Sequence, residues 1–264
     1  MADDAPPPRP VSSPAISPAP PSAFPGALTE DRLLGGRVAL FQPADGYRAA
    51  IDPVLLAAFV PARAGERVLE AGIGAGAASL CLAARVPGIR IEGVEQDPAT
   101  AALARANAAA NGADIVVHSG DVAALPDLGL FDHAMANPPY LEAAAASPPA
   151  DPRRAAAHVE GGAGLDQWVA AMGRALRHRG TLSIVHRADR LDDVVRAFGP
   201  RFGGIVVLPL WPKARRPAKR VLVRAAKGSR AGLVLAPGLV LHEEDGRFTE
   251  AAEAVLRGAA PLEA

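Results

Sequence analysis

The chain has 264 residues, half of them hydrophobic, and balances 28 Lys or Arg against 28 Asp or Glu. That size and composition fit one globular domain with appendages, and exclude a fibrous repeat or a chain disordered throughout. Apolar stretches are broken by Arg, Asp, Gly or Pro well before the roughly 18 residues a membrane span needs, so no membrane partner is expected. The single cysteine, Cys81, rules out an internal disulfide and a cysteine-rich zinc site and fits a reducing cytoplasm.

Residues 1–27 are mostly Pro, Ala and Ser. They lack the basic start and apolar core of a secretory signal and cannot bury enough surface to order themselves, so a disordered tail is expected. A lead-in segment follows over 28–60. There GYRAAIDPVLLAAFV reads as a turn and a helix, with Asp52 as its cap, Pro53 in the first turn and Leu55, Leu56 and Phe59 as an apolar stripe.

From 61 to 230 short apolar runs alternate with amphipathic stretches, the pattern of an α/β fold with a mostly parallel sheet. Seven strands are expected: Arg67–Glu70, Arg90–Glu95, Ile115–His118, Phe131–Ala136, Thr181–His186, Ile205–Leu210 and Arg220–Ala226. Helices begin near Ala77, Pro98, Leu165 and Arg190; the second has Asp97 as cap and Asn111-Gly112 as its stop. No helix separates the last two strands, so the seventh runs antiparallel. The remainder, 231–264, reads as an extension with a hairpin and a short helix begun by Thr249.

VLEAGIGAGAASL, Val68 to Leu80, is strand, glycine loop and helix. Gly72, Gly74 and Gly76 let the backbone turn sharply and offer N–H groups to a ligand. A dinucleotide fingerprint would place its last glycine where Ala77 stands, although Ala is tolerated there. Glu70 before the glycines is more telling, because a carboxylate there repels a pyrophosphate but attracts a cationic amino-acid group. S-adenosylmethionine carries that group and no phosphate. Glu95 closes the second strand, where it can take both ribose hydroxyls, and Asp121 follows the third, where it can accept from the adenine amine. Either acid alone reads as a solvated loop residue or a helix cap. Three acids at the carboxyl ends of adjacent strands mark a ligand site.

Asn137-Pro138-Pro139-Tyr140 follows the fourth strand. Asn-Pro can simply begin a turn. Chemically, the Asn137 side-chain oxygen and the Pro138 carbonyl can each accept one hydrogen of an NH2 group, freeing its conjugated lone pair to face a sulfonium methyl. Tyr140 offers a ring for stacking a planar base. The six histidines are scattered and no metal is assigned.

With Glu70 to Gly76, this tetrapeptide resembles the class I, Rossmann-like amino-methyltransferases that use S-adenosylmethionine. QPADGYRAAIDPVLLA, its spacing into VLEAGIGAG, and KRVLVRAAKGSRAGLVL narrow the resemblance to the bacterial adenine-N6 methyltransferases that modify a valine tRNA beside its anticodon. The resemblance implies that Gly72, Gly74, Glu95 and Asp121 hold the cofactor, that Asn137 and Tyr140 hold the target adenine, and that Tyr47, Arg48 and Asp52 lie over the cofactor. Glu70 stands where Asp is more frequent and Ile73 where a small or polar residue is common. The 143–162 insert has no reading.

From Arg153 to Arg230 there are seventeen Lys or Arg against five Asp or Glu, with no acid between Asp193 and Glu243. Arginine-rich coding alone could inflate such a count, but all three lysines also fall in the acid-free stretch, as a phosphate-facing surface would have it. In LWPKARRPAKR, Lys213, Arg215, Arg216, Lys219 and Arg220 with Trp211 are expected to form a tracking and stacking surface for tRNA, at its single-stranded anticodon loop; Trp211 can alternatively pack against the helix near Arg190. The competing readings are methylation of a protein glutamine amide and a non-catalytic nucleotide- or RNA-binding module.

Overall fold

The structure is a computed structural model that describes residues 24–45, 48–138 and 164–263. Among them, nine strands and α-helices precede Asn137: β1 (Leu28–Leu33), β2 (Val38–Pro43), α1 (Asp52–Phe59), β3 (Arg67–Ala71), α2 (Ala77–Arg85), β4 (Arg90–Glu95), α3 (Pro98–Ala110), β5 (Ile115–Ser119) and β6 (Phe131–Ala136). After it come α4 (Leu165–Ala175), β7 (Leu176–Arg187), α5 (Leu191–Phe198), β8 (Phe202–Lys213), β9 (Arg220–Lys227), β10 (Val234–Leu235), β11 (Leu239–His242) and α6 (Glu250–Leu256).

The sheet runs β5-β4-β3-β6-β7-β9-β8, with β10 and β11 on the outer edge of β8. Only β9 is antiparallel to its sheet neighbours. This is the Rossmann-like class I order with its antiparallel last strand, widened from seven strands to nine. The chain leaves β3 toward β4 and β5 and returns on the other side as β6. The crevice beyond the carboxyl ends of β3 and β6 is therefore the topological switch point where open α/β sheets bind ligands.

One face of the sheet buries Val68, Met135, Val185 and Leu222 against α1, α2 and α6. The other buries Leu69, Ala134, Leu182 and Val223 against α4 and α5. Cys81 lies wholly within the first core, where burial pushes its thiol up to about 12, so it is an inert packing group. No helix among the described residues is long and apolar enough to cross a membrane.

Four expectations change. Residues 28–43 form an antiparallel hairpin, β1 against β2, turning at Gly35 and Gly36, which have φ +64° and +94°. Asp52 does not cap α1: Ile51 holds that position, and Asp52 in the first turn instead accepts from Arg220 Nε at 3.1 Å. The hairpin of the extension is confined to a single antiparallel bridge, His242 to Phe248, whereas Ala236-Pro237-Gly238 steps the chain along β8, leaving β10 and β11 both parallel to it. Finally, β8 runs on to Lys213, its edge paired by β11, so Trp211 and Lys213 are strand residues and not loop residues.

The hairpin is docked by two side chains. Asn107 Oδ1 accepts from Phe41 N at 3.0 Å, and its Nδ2 donates to Phe41 O at 2.8 Å and to Ala75 O at 2.9 Å. Asn111, one turn on, accepts from Ala39 N at 2.9 Å and donates to Ala39 O at 2.7 Å. Asn107→Ala strands two backbone carbonyls and an amide in a buried place, at about 1–3 kcal/mol for each group left unsatisfied. The expected loss is about 3 kcal/mol or more in urea unfolding, with a smaller loss for the more exposed Asn111→Ala; equal small losses would mean the hairpin is held by its apolar face alone.

Candidate active site

β3 ends at Ala71 and the chain turns through Gly72, Gly74 and Gly76, at φ +66°, +56° and +92°. These left-handed values are the reason for the glycines. The amides of Gly72 and Ile73 donate to Val94 O at 2.9 and 3.1 Å, fixing the first turn on β4. A Cβ placed on Gly74 would meet no atom within 4 Å, so this turn borders open space. Ile73, unusual by the resemblance, packs on Gly93, where a Cβ would sit 2.3 Å from its Cδ1. A large residue in the loop is thus matched by a glycine in β4.

The open space is a cleft of about 270 Å³ whose floor is Glu70, Gly72, Ile73, Gly74 and Ala75, with Asn137 on one wall. Gln42, Pro43 and Asp45 of the hairpin and Pro53 of α1 form its roof. The roof is shaped by Gln42, a buried residue to which no role was assigned: its Nε2 donates to Asp31 at 2.8 Å and its Oε1 accepts from Ala49 N at 2.9 Å. Arg48 braces the same network, reaching Asp31 Oδ2 and Thr29 Oγ1, each at 2.7 Å. Tyr47, Pro139, Tyr140 and the insert lie outside the described residues.

Glu95 accepts from Gly74 N and Asp97 N, both at 3.0 Å, one on each oxygen, so it holds the loop while each oxygen keeps a further lone pair. Asp121 caps the turn after β5 through Ala123 N at 2.8 Å and is exposed. Glu70 is buried; Ser79 N donates to its Oε2 at 3.0 Å, and the Ser79 hydroxyl to the same oxygen. Burial pushes its carboxyl from the ordinary 4.5 up to about 8, against the two Ser79 bonds and with a small addition from Glu95.

His186 is a further residue with no assigned role. Ala136 and Ile184 are register partners, so His186, near the end of β7, lies two residues beyond the last pair with β6, as Pro138 does on the other side. Burial lowers the imidazole pKa, the charges of Arg190, Arg187 and Arg220 add to this, and a backbone bond at Arg187 opposes it.

β8 is parallel to β6, so the β8–β9 loop shares the rim with Asn137. Its residues divide. Trp211 donates to Pro237 O at 3.1 Å, packing on the extension and not on α5, and Lys213 Nζ donates to Glu244 O at 2.6 Å. Arg220 pairs with Asp52. Arg215, Arg216 and Lys219 are exposed, and their side chains bond to nothing among the described residues. No group of three or more potential metal ligands occurs among the described residues.

Strand order and glycine loop define a Rossmann-like α/β fold with an acid-floored cleft at its switch point. The chain belongs to the methyltransferase small domain family, whose profile matches residues 50–193. It is 34% identical over 158 residues to a tRNA1(Val) (adenine(37)-N6)-methyltransferase of Porphyromonas gingivalis, a match over 56% of this chain that spans only 61% of that relative's length. A protein of the same name from Aeromonas hydrophila is 30% identical over 77% of this chain and 86% of its own. Among solved structures, a predicted O-methyltransferase from Agrobacterium tumefaciens superposes with a TM-score of 0.66 at 28% identity, over 80% of this chain and 98% of that one.

The raised Glu70 makes cofactor binding proton-linked. Its extra protonation stabilises the empty fold fully below pH 4.5, and that contribution is lost as pH rises through about 8. A cationic amino group brought to the cleft favours the carboxylate, so S-adenosylmethionine binding at pH 7 is expected to release up to one proton. Calorimetry in buffers of different ionisation enthalpy reads this directly, and Glu70→Gln should abolish the release; a release unchanged in that variant would assign the proton elsewhere.

Proposed function

We propose that this chain transfers a methyl group from S-adenosylmethionine to the exocyclic N6 amine of an adenine in the anticodon loop of a tRNA, in the cytoplasm. The observation that carries the reading is that Asn137, first residue of Asn-Pro-Pro-Tyr, lines the same cleft as Glu70 and the glycine loop. A residue chemically suited to hold an NH2 group thus borders the place suited to the methyl donor. The names of the two tRNA-modifying relatives support the same target.

When bound, the cofactor supplies a methyl on positively charged sulfur. The chain's part is to hold both reactants. In this reading Glu95 and Asp121 take the ribose and adenine of the donor, and Glu70 faces its amino group. Asn137 Oδ1 and the Pro138 carbonyl accept the two hydrogens of the target amine, leaving its lone pair directed at the methyl. The nitrogen becomes acidic as the N–C bond forms and the S–C bond breaks, so its proton leaves without a strong base. Tyr140 remains the residue expected to stack the base.

The exposed Arg215, Arg216 and Lys219 favour RNA over a protein amide, because they stand on the same rim as Asn137 with no acidic partner among the described residues. Incubation with labelled cofactor and either total tRNA or a release-factor peptide, followed by digestion, tests the target. N6-methyladenosine from tRNA is expected, whereas methylglutamine would hand the function to the protein-amide reading. Asn137→Ala should lower turnover by about 100-fold or more at little change in donor affinity; retained turnover would leave the tetrapeptide a mere turn. Changing Arg215, Arg216 and Lys219 to Ser should weaken tRNA binding and flatten the slope of log K against log salt by about 2, roughly 0.7 per lost single-strand contact. An unchanged slope would remove the loop from the RNA path.

A further inference from the structure

Trp168 stands on α4 with its side chain in the core shared with Ala71, Ala134 and Ala136. Only the far edge of its ring reaches the cleft floor. A Cβ on Gly72 would lie 2.6 Å from Trp168 Cη2, 3.2 Å from Cζ3 and 3.7 Å from Cζ2, so the benzo edge rests against the Gly72 backbone. Gly72 is therefore held on both sides, by its bond to Val94 O and by this ring. Its φ of +66° and its place on the cleft floor make it the first turn of the loop that meets the ligand.

We infer that Trp168 is a positioning residue of the methyl-donor site, acting through Gly72 to set the turn whose backbone receives the donor. The inference rests on the donor reading given above. The turn is left-handed, has no side chain of its own to pack, and borders open space at Gly74, so its conformation needs an external wall. The indole is that wall: the three atoms nearest the position of a Gly72 Cβ belong to the part of the ring that phenylalanine lacks. Gly72 in turn admits the ring, since any side chain there would collide with it. The same helix begins the chain's return from the segment that opens with Asn137, so α4 links the amine-holding end of β6 to the donor loop.

Two measurements test this. Trp168→Phe keeps an aromatic fill in the core but withdraws the contact, so it should melt within a few degrees of the unaltered chain, raise the Kd for S-adenosylmethionine about 5–10-fold, and leave kcat at saturating donor and the affinity for tRNA unchanged. Trp168 and Trp211 are the two tryptophans, so the full chain labelled with 5-fluorotryptophan gives two fluorine resonances, assigned by the one that Trp168→Phe removes. Donor should shift the Trp168 resonance. Donor binding that leaves this resonance in place, or an unchanged donor Kd in Trp168→Phe, would overturn the inference alone. No donor binding by the unaltered chain would overturn the functional reading and this inference together.

Discussion

A roof strand held by side chains instead of by another strand is the constraint on which the cleft depends. β2 has β1 on one edge, and its other edge needs partners for the N–H and C=O groups of Ala39 and Phe41. A helix cannot supply them from its backbone, whose groups are used internally. Asn107 and Asn111 supply them as two free-standing amide units. The spacing fits: four helical residues rise about 6 Å and two strand residues about 6.7 Å, so an i, i+4 pair meets an i, i+2 pair in step. Asn107 also grips Ala75 O, so one buried carboxamide joins the roof, α3 and the glycine loop. Asparagine is a poor residue for a helix interior, and its use in the last turn of α3 trades local helix propensity for that junction.

The floor is electrostatically incomplete when empty. Glu70 is buried with Ser79 as its one donor among the described residues, and Glu95 stands near enough to raise it further. Both acids serve the backbone, Glu95 by accepting from Gly74 N and Glu70, which also lines the cleft, by tying the first turns of α2 to the end of β3. A ligand bearing positive charge relieves a strain that a phosphate-bearing one would increase. In the proposed reading, a preference for a cationic cofactor would follow from the same two residues that shape the loop.

The alternation of strands and helices, the parallel β8, the Asp97 cap with its 2.7 Å bond from Thr100 N, and the Thr249 cap of α6 were all legible in the sequence, because each is written within a few consecutive residues. So were the acids at the strand ends. What was not legible depends on partners distant in the chain. The 28–43 hairpin carried a usable signal, Gly35-Gly36 between two apolar runs, but its docking through Asn107 spans 66 residues. The parallel β10 and β11 follow from the edge that β8 leaves open, and that edge also makes Trp211 a strand residue. Gly72 reads as a turn glycine from sequence; only the fold shows that Trp168 leaves no room for anything larger.

The rim charges follow the same logic of partners. Asp52 and the Glu244 carbonyl engage Arg220 and Lys213, so two of the five cations, at the strand ends flanking the loop, fasten it to the roof and to the extension. Beyond Lys213 the surface turns acidic: Glu243, Glu244, Asp245, Glu250 and Glu253 line one wide cleft, in which Arg247 is the sole base and is already paired with Asp245. A polyanion is repelled on that side and attracted by Arg215, Arg216 and Lys219 on the other. For an RNA reaching Asn137, the approach over the β8–β9 loop is thus favoured and the approach over the extension opposed, by charges that the net value of zero conceals.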